Sequence, residues 1–300
     1  MKIRHILTIC IAVALTACKS DFTVRVNPDI IMFSAESYTL GIMEQDKEDE
    51  SGDEQWHEIT ISATKSVNYD RNIGVEVIWS ESSAIEGLHY VLESNTLTIP
   101  KGKLTTALRL RGIAENIPVG EELTLCLSLI LDQENTSELY GTRSEVKLQR
   151  CCKFDIQNFV GYAKMTSSWT MQYMNSDARL VRTELGKEEN SLVIKNMLYE
   201  GYDIEVEFDD SNPLEPRVIV PDAQVIGSTG EAFGTIYGNG KLMMSEPTGY
   251  TSYYGTCENF MVLYTMMYVD NVGTVGVYVN IFEWISDDED EAKRIMREGF

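Results

Sequence analysis

The chain offers few groups able to do acid–base or nucleophilic chemistry near neutral pH. It holds three histidines in 300 residues, His5, His57 and His89, and histidine is the side chain whose unperturbed pKa lies in that range. His5 sits in an apolar leader, so only His57 and His89 could serve a Ser–His or Cys–His dyad. Neither is accompanied by a nucleophile motif, and both read as surface or loop histidines. A glycosidase needs two carboxylates roughly 5 to 10 Å apart across a cleft. With 47 Asp and Glu residues, that requirement is met everywhere and selects nothing. No catalytic residue is expected.

The acidic run from Glu44 to Glu58 invites a calcium reading. When Gly52 and Glu58 take the places of the glycine and closing glutamate of an EF-hand loop, Lys47 falls on the first ligand position, and no helix pair flanks the run. A solvated loop between strands accounts for it, so neither a metal nor a cofactor is expected.

Aromatic residues carry the clearest binding signal. Thr248 to Thr256 places Tyr250, Tyr253 and Tyr254 among turn-forming residues, with Gly249 and Gly255 on either side. Flat rings with polar tips suit carbohydrate faces as well as ordinary interfaces, so these three are candidate ligand contacts for a glycan or peptide. The alternative, that Tyr253 and Tyr254 belong to a core, is equally open. Trp169 and Tyr173 fall on one face of an expected strand, and either line the same mouth or fill a core, the latter favoured for Trp169.

The amino terminus gives an address. Lys2, Arg4 and His5 precede the apolar run Ile6 to Leu15, which has the length of a signal peptide and is too short for a permanent span. Leu15-Thr16-Ala17-Cys18 resembles a bacterial lipobox, in which the cysteine is acylated and becomes the mature N-terminus. Lys19, Ser20 and Asp21 behind it resemble the export tag of surface lipoproteins in gut Gram-negative anaerobes. The resemblance implies lipidation at Cys18, contact with the membrane through that anchor, and residence at the outer membrane on the cell surface. The formal net charge of -22 becomes two units more negative once Lys2 and Arg4 leave. Such a surface lacks the basic footprint that nucleic acid demands. Cys126, Cys151, Cys152 and Cys257 then remain. Their spacing suggests no zinc site, a bridge between the neighbours Cys151 and Cys152 would be strained, and no disulfide is assigned.

Short alternating runs bounded by Gly, Pro and Asn predict an all-β protein. In the first half, strands are expected at 37–43, 58–66, 73–80, 96–99, 103–113, 122–131 and 143–149. Leu123, Leu125, Leu127, Leu129 and Leu131 face a core, while Thr124, Cys126 and Ser128 face outward. Seven strands in this length suit an immunoglobulin-like sandwich. Glu86-Gly87-Leu88-His89-Tyr90, Thr96 to Gly102, Leu108-Arg109-Leu110 and Glu121 to Leu125, in that order, resemble the Calx-β repeat. The resemblance implies fold and not calcium, because Ala114-Glu115-Asn116 stands where calcium-binding members carry an acidic pair and His89 replaces the usual acid.

Beyond Arg150 to Lys153 a second unit begins, with strands expected at 162–174, 180–184, 191–195, 202–208, 217–220, 224–226, 233–237, 241–245, 260–269 and 273–284. They fit an up-and-down meander closing into a barrel. The opening from Phe154 to Tyr162 and the final long strand pair, 260–269 with 273–284, are similar to lipocalin-like carboxy-terminal domains of lipoproteins from the same bacteria. Ser286 to Arg297 reads as a helix capped by Ser286, with Glu289–Lys293 and Asp290–Arg294 spaced for ion pairs. The organisation expected is a leader at 1–17, a lipidated tether at 18–34, a sandwich at 35–150, a lipocalin-like barrel at 154–285 and a helix at 286–300. The expected role is a lipid-anchored, non-catalytic binding accessory for glycan or peptide in nutrient capture. The alternatives are an adhesive envelope component that binds another protein, and a glycoside hydrolase.

Overall fold

The structure is a computed structural model that describes residues 29–44, 55–132, 135–136 and 141–298. The leader, Cys18 and most of the acidic run lie outside the described residues.

Two sheets face each other in the first part of the chain. One joins β1 (Ile31–Phe33), β3 (His57–Ala63), β7 (Thr105–Gly112) and β5 (Tyr90–Leu92) in the order β1-β3-β7-β5. The other joins β2 (Ser37–Met43), β9 (Arg143–Cys151), β8 (Glu122–Ile130), β4 (Arg71–Val77) and β6 (Thr96–Ile99) in the order β2-β9-β8-β4-β6. β2 runs parallel to β9 and the other pairings are antiparallel. The leucine alternation of β8 holds: Leu125, Leu127 and Leu129 are buried against Leu108 and Leu110 of β7, with Cys126 half-buried on the other face. β1 and β5 escape sequence reading because three residues hold no full alternation.

The second core belongs to a barrel. Its strands are β10 (Gly161–Ser167), β11 (Arg179–Leu185), β12 (Ser191–Lys195), β13 (Ile204–Asp209), β14 (Arg217–Ile219), β15 (Gln224–Ser228), β16 (Lys241–Ser245), β17 (Ser252–Gly255), β18 (Phe260–Val269) and β19 (Gly273–Ser286). β10 to β14 form a meander, β14 pairs with β17, β17 with β18, β18 with β19, and β19 returns to β10. Eight strands thus close on themselves, all antiparallel. The β15–β16 hairpin lies outside this ring. It attaches to the second half of β18 through Met243↔Tyr268, while the first half pairs with β17 through Tyr253↔Val262. On the far side the Gln224 amide accepts from the Glu205 N–H at 2.8 Å and donates to the Glu205 carbonyl at 2.7 Å, so one side chain does the work of a strand residue.

Three local expectations are corrected. The strand expected through Met174 stops at Ser167, whose hydroxyl accepts from the Trp169 N–H at 3.2 Å and caps α1 (Ser168–Tyr173); Trp169 and Tyr173 therefore share a helix face. The strand expected at 233–237 does not form: Phe233 closes α2 (Thr229–Phe233), which is started by a capping box between Ser228 and Glu231 and ended by Gly234 at φ 70°, and the chain then turns into β16. Such a cap satisfies amide groups that a strand would leave to a neighbour. The terminal helix α3 (Glu289–Glu298) is capped by Asp288, whose Oδ1 accepts from the Glu291 N–H at 2.8 Å, rather than by Ser286. Lys293 pairs with Glu289 as expected, whereas Arg294 pairs with Glu291 and Glu298.

A disulfide, not foreseen, joins Cys152 at the exit of β9 to Cys257 in the β17–β18 turn, across 105 residues. Nearby, Leu214 from the β13–β14 loop sits over Gly41 of β2, where an added methyl group would meet it at 3.3 Å. Loop closure over about 100 residues corresponds to roughly 4.7 kcal/mol, against a usual range of about 2–5 for native bridges. Replacing Cys152 and Cys257 together by serine should lower the unfolding free energy by about 2–5 kcal/mol in a urea titration. An unchanged midpoint would show that the link contributes nothing.

Candidate functional site

The barrel interior is filled by side chains. Towards the end of β19, Phe154, Phe159, Phe208, Tyr254 and Trp284 form a ring cluster, with centroids 4.8 Å apart for Phe159–Phe208, 4.9 Å for Phe208–Tyr254 and 5.0 Å for Phe159–Trp284. Towards its start, Trp169 stacks on Tyr173 at 4.3 Å and meets Tyr278 at 4.9 Å. Between the two, buried Asn280 accepts from the Ser167 hydroxyl at 2.6 Å and donates to the Leu263 carbonyl at 3.0 Å and Thr265 Oγ1 at 3.1 Å. An interior this full does not offer the open mouth expected from a barrel.

Two of the five candidate ligand contacts consequently lie in the core. Trp169 is fully buried and donates its indole N–H to the Tyr199 hydroxyl at 3.3 Å. Tyr254 is 2% exposed, and burial, reinforced by Asp210 and Asp209, pushes its phenol well above the usual tyrosine range. Tyr173 is half-buried on α1, its hydroxyl 3.4 Å from that of Tyr278. Cys18 lies outside the described residues.

Tyr250 and Tyr253 point the other way. The segment expected as a turn contains β17, and side chains alternate across a strand, so Tyr254 faces in while Tyr253 faces out. Register extends the outward row: Tyr253 lies opposite Val262, Val262 opposite Ile281, and Ile281 opposite Thr166. The next row on this outer wall pairs Tyr264 with Val279 and the one beyond pairs Met266 with Val277. Tyr250 is 50% exposed and Tyr253 42%; the first packs on Tyr264 with centroids 5.2 Å apart, the second stands at right angles to Phe260 at 6.1 Å. Val262 belongs to the outward row, yet only 6% of it is exposed, which follows from its place among these larger side chains.

Two small residues set the rings. The Phe260 ring occupies the space over Gly255 that a Cβ would need, so glycine is required there by close approach rather than by φ. Ser252, buried beside Tyr253, accepts from the Tyr264 N–H at 3.0 Å through its hydroxyl, continuing the ladder where β17 begins. At the margin, Arg217, opposite Tyr253, pairs with Glu215 at 3.3 Å, and Glu283, opposite Phe260, pairs with Lys164 at 3.0 Å. The result is a contiguous apolar and aromatic face rimmed by ion pairs, the kind of exposed patch that marks a contact surface.

Phe260, Tyr264, Val262 and Ile281 were absent from the residues singled out in the sequence. The signal for them was present, since Phe260-Met261-Val262-Leu263-Tyr264 is apolar in both parities. In a strand that walls a barrel, this means an apolar outer face as well as a core.

Among the described residues the histidines do not build a rival site. His89 Nδ1 accepts from the Ile85 N–H at 2.9 Å and so shapes a turn. His57, its pKa lowered by burial, lines a cavity of about 70 Å³ with Gln55, Arg111 and Glu115, among residues that include no Ser, Thr or Cys.

Residues 139–296 match the profile of the family described as Domain of unknown function (DUF4984), just over half of the chain. The chain belongs to this family. The matched region contains β9, the whole barrel and most of α3, together with both cysteines of the disulfide. No curated protein matches the sequence. Among solved structures, the apo Calx CBD1 domain is similar at 15% identity and TM-score 0.32, over 41% of this chain and 97% of that one. A Bacteroides ovatus protein of unknown function reaches 8% identity and TM-score 0.37, over 88% of this chain and 95% of that one. A Bacteroides ovatus ATCC 8483 protein described provisionally as carbohydrate-binding has 13% identity and TM-score 0.32, over 83% and 67%. Superpositions this loose assign no ligand to this member of the family.

The contrast between two adjacent tyrosines is testable. Tyr254→Ala should cost about 3–5 kcal/mol, as for other large buried aromatics, whereas Tyr253→Ala should cost less than about 1 kcal/mol. Thermal and urea unfolding of both variants decides it; equal losses would return Tyr253 to the core.

Proposed function

We propose that this protein is a non-catalytic binding module, tethered to a membrane by lipid on Cys18, that holds glycan against the outer barrel face around Tyr250, Tyr253, Phe260 and Tyr264. The observation that carries the reading is the outward display of these rings. Core packing already uses the inward parity of β17, β18 and β19, so the outward parity is spare. A sugar ring presents a C–H face that covers an aromatic ring and hydroxyls that meet the polar tips of tyrosine. Nothing in this reading needs an acid, a base or a nucleophile.

A second reading places another envelope protein on the same face. Val277 and Ile281, both exposed, favour it, because aliphatic side chains fill a protein interface more naturally than they serve a sugar. In either case the protein acts at the outer membrane on the cell surface, supported by the run from Lys2 to Leu15, the Leu15 to Cys18 motif and the charged residues behind it.

Two measurements test these proposals. Residues 18–300 on a glycan array should bind a restricted set of sugars, and Tyr250→Ala with Tyr253→Ala should weaken that binding about thirtyfold, near 2 kcal/mol, at unchanged melting temperature. Silence on the array together with capture of an envelope protein by the same face would favour the second reading. For the anchor, Cys18→Ala should move the protein from the detergent phase into the aqueous fraction; retention in the detergent phase would exclude lipidation at that residue.

A further inference from the structure

We infer that the ring face takes an internal stretch of an uncharged polysaccharide chain, laid along β18, and not a chain end, a single sugar or an anionic glycan. This rests on the glycan reading above and narrows it by length, shape and charge.

Length comes from the strand. Phe260 and Tyr264 occupy outward positions of β18 four residues apart, with Val262 between them. At about 3.3 Å per residue their attachment points are roughly 13 Å apart, more than one pyranose ring covers. Tyr253 flanks this line beside Phe260, and Tyr250 flanks it against Tyr264. A ligand that meets all four rings is therefore an oligomer.

Shape follows from closure. The face lies on the outside of an eight-stranded closed wall, and such a wall is convex. A convex surface cannot surround a terminus, whereas recognition of a chain end or a monosaccharide draws on a concave pocket that encloses most of the ligand. A chain crossing the face continues freely at both ends.

Charge narrows the class. The two cations at the margin are engaged with acids, Arg217 with Glu215 and Lys164 with Glu283, and the protein as a whole carries a formal net charge of -22. A carboxylated or sulfated chain would approach a like-charged body, which slows encounter and weakens binding at low salt. An uncharged hexose or pentose chain meets no such repulsion.

The experiment is calorimetric titration of residues 18–300 with gluco-, manno- and xylo-oligosaccharides of one to six units, the corresponding polysaccharides, and polygalacturonate. The expected result is undetectable binding of monosaccharides and a rise of at least tenfold in affinity from two to four units for one uncharged series. That affinity should not change when the reducing end is converted to an alditol, and polygalacturonate should bind more weakly than the uncharged chain. The double variant Glu215→Gln with Glu283→Gln should raise polygalacturonate binding severalfold; no rise would overturn the charge selection. Equal affinity for one unit and four, loss of binding on end reduction, or preference for polygalacturonate would overturn the inference while leaving glycan binding standing. If no sugar of either kind binds, the glycan reading falls, and this inference with it.

Discussion

Everything in the second half of this protein depends on closing eight strands into a wall whose interior has room only for side chains. A barrel of that size must fill its centre, and the filling is done by one parity of each strand. The other parity is released from packing, so a contiguous apolar patch found there marks a contact surface. β18 is where closure is decided. It pairs along its whole length with β19, and on its other edge with β17 and then β16, so one strand carries both the seam and the outer ring face.

Polar groups inside the wall keep this geometry specific. Thr183 Oγ1 donates to the Phe159 carbonyl at 2.7 Å and accepts from the Trp284 indole at 2.9 Å, tying β11 to β19 across the ring cluster. Asn280 does the same between β19, β10 and β18. A buried polar group left unpaired costs about 1–3 kcal/mol, so these contacts penalise any slip of register. A slip of one residue would exchange the two faces, turning Tyr253 inward and Tyr254 outward. The disulfide at Cys257 pins the β17–β18 turn to the strand leaving the sandwich, beside the rings that the face presents.

How much of this was legible in the sequence follows from how local each signal is. Strands 37–43, 96–99, 191–195, 241–245 and 260–269 have the bounds read from alternation, because two-residue periodicity needs no distant information. α1 was missed because Ala163, Met165, Trp169, Met171 and Tyr173 alternate with Lys164, Thr166, Thr170 and Gln172 straight through it, and a single hydroxyl cap at Ser167 outweighed the pattern. The Cys152–Cys257 bridge was illegible, since 105 residues separate the partners and no spacing motif connects them. Within the candidate site, the concentration of tyrosine at 250–254 was visible. What was missing was parity: reading the segment as a turn hid the fact that Tyr253 and Tyr254 belong to opposite faces.

A filled interior also limits how tightly this face can hold anything. An aromatic contact adds about 0.5–1.5 kcal/mol beyond its area burial, so four rings supply only several kcal/mol before the cost of association, and a millimolar dissociation constant already corresponds to about 4.1 kcal/mol. Preorganisation recovers part of the loss. Tyr250 rests on Tyr264, Phe260 rests over Gly255, and the strands beneath are paired on both sides, so little rotamer freedom remains to be surrendered. Weak single contacts of this sort become useful when many copies engage one long ligand, because each further contact is then made at the high local concentration set by the tether. A lipid anchor on every copy and a polymer long enough to touch several of them would satisfy both conditions. On the proposed reading, a convex face for an uncharged chain and a lipid tether would form a consistent physical solution: affinity would come from repetition along the polymer and the membrane, and the barrel would need only to keep its rings outside.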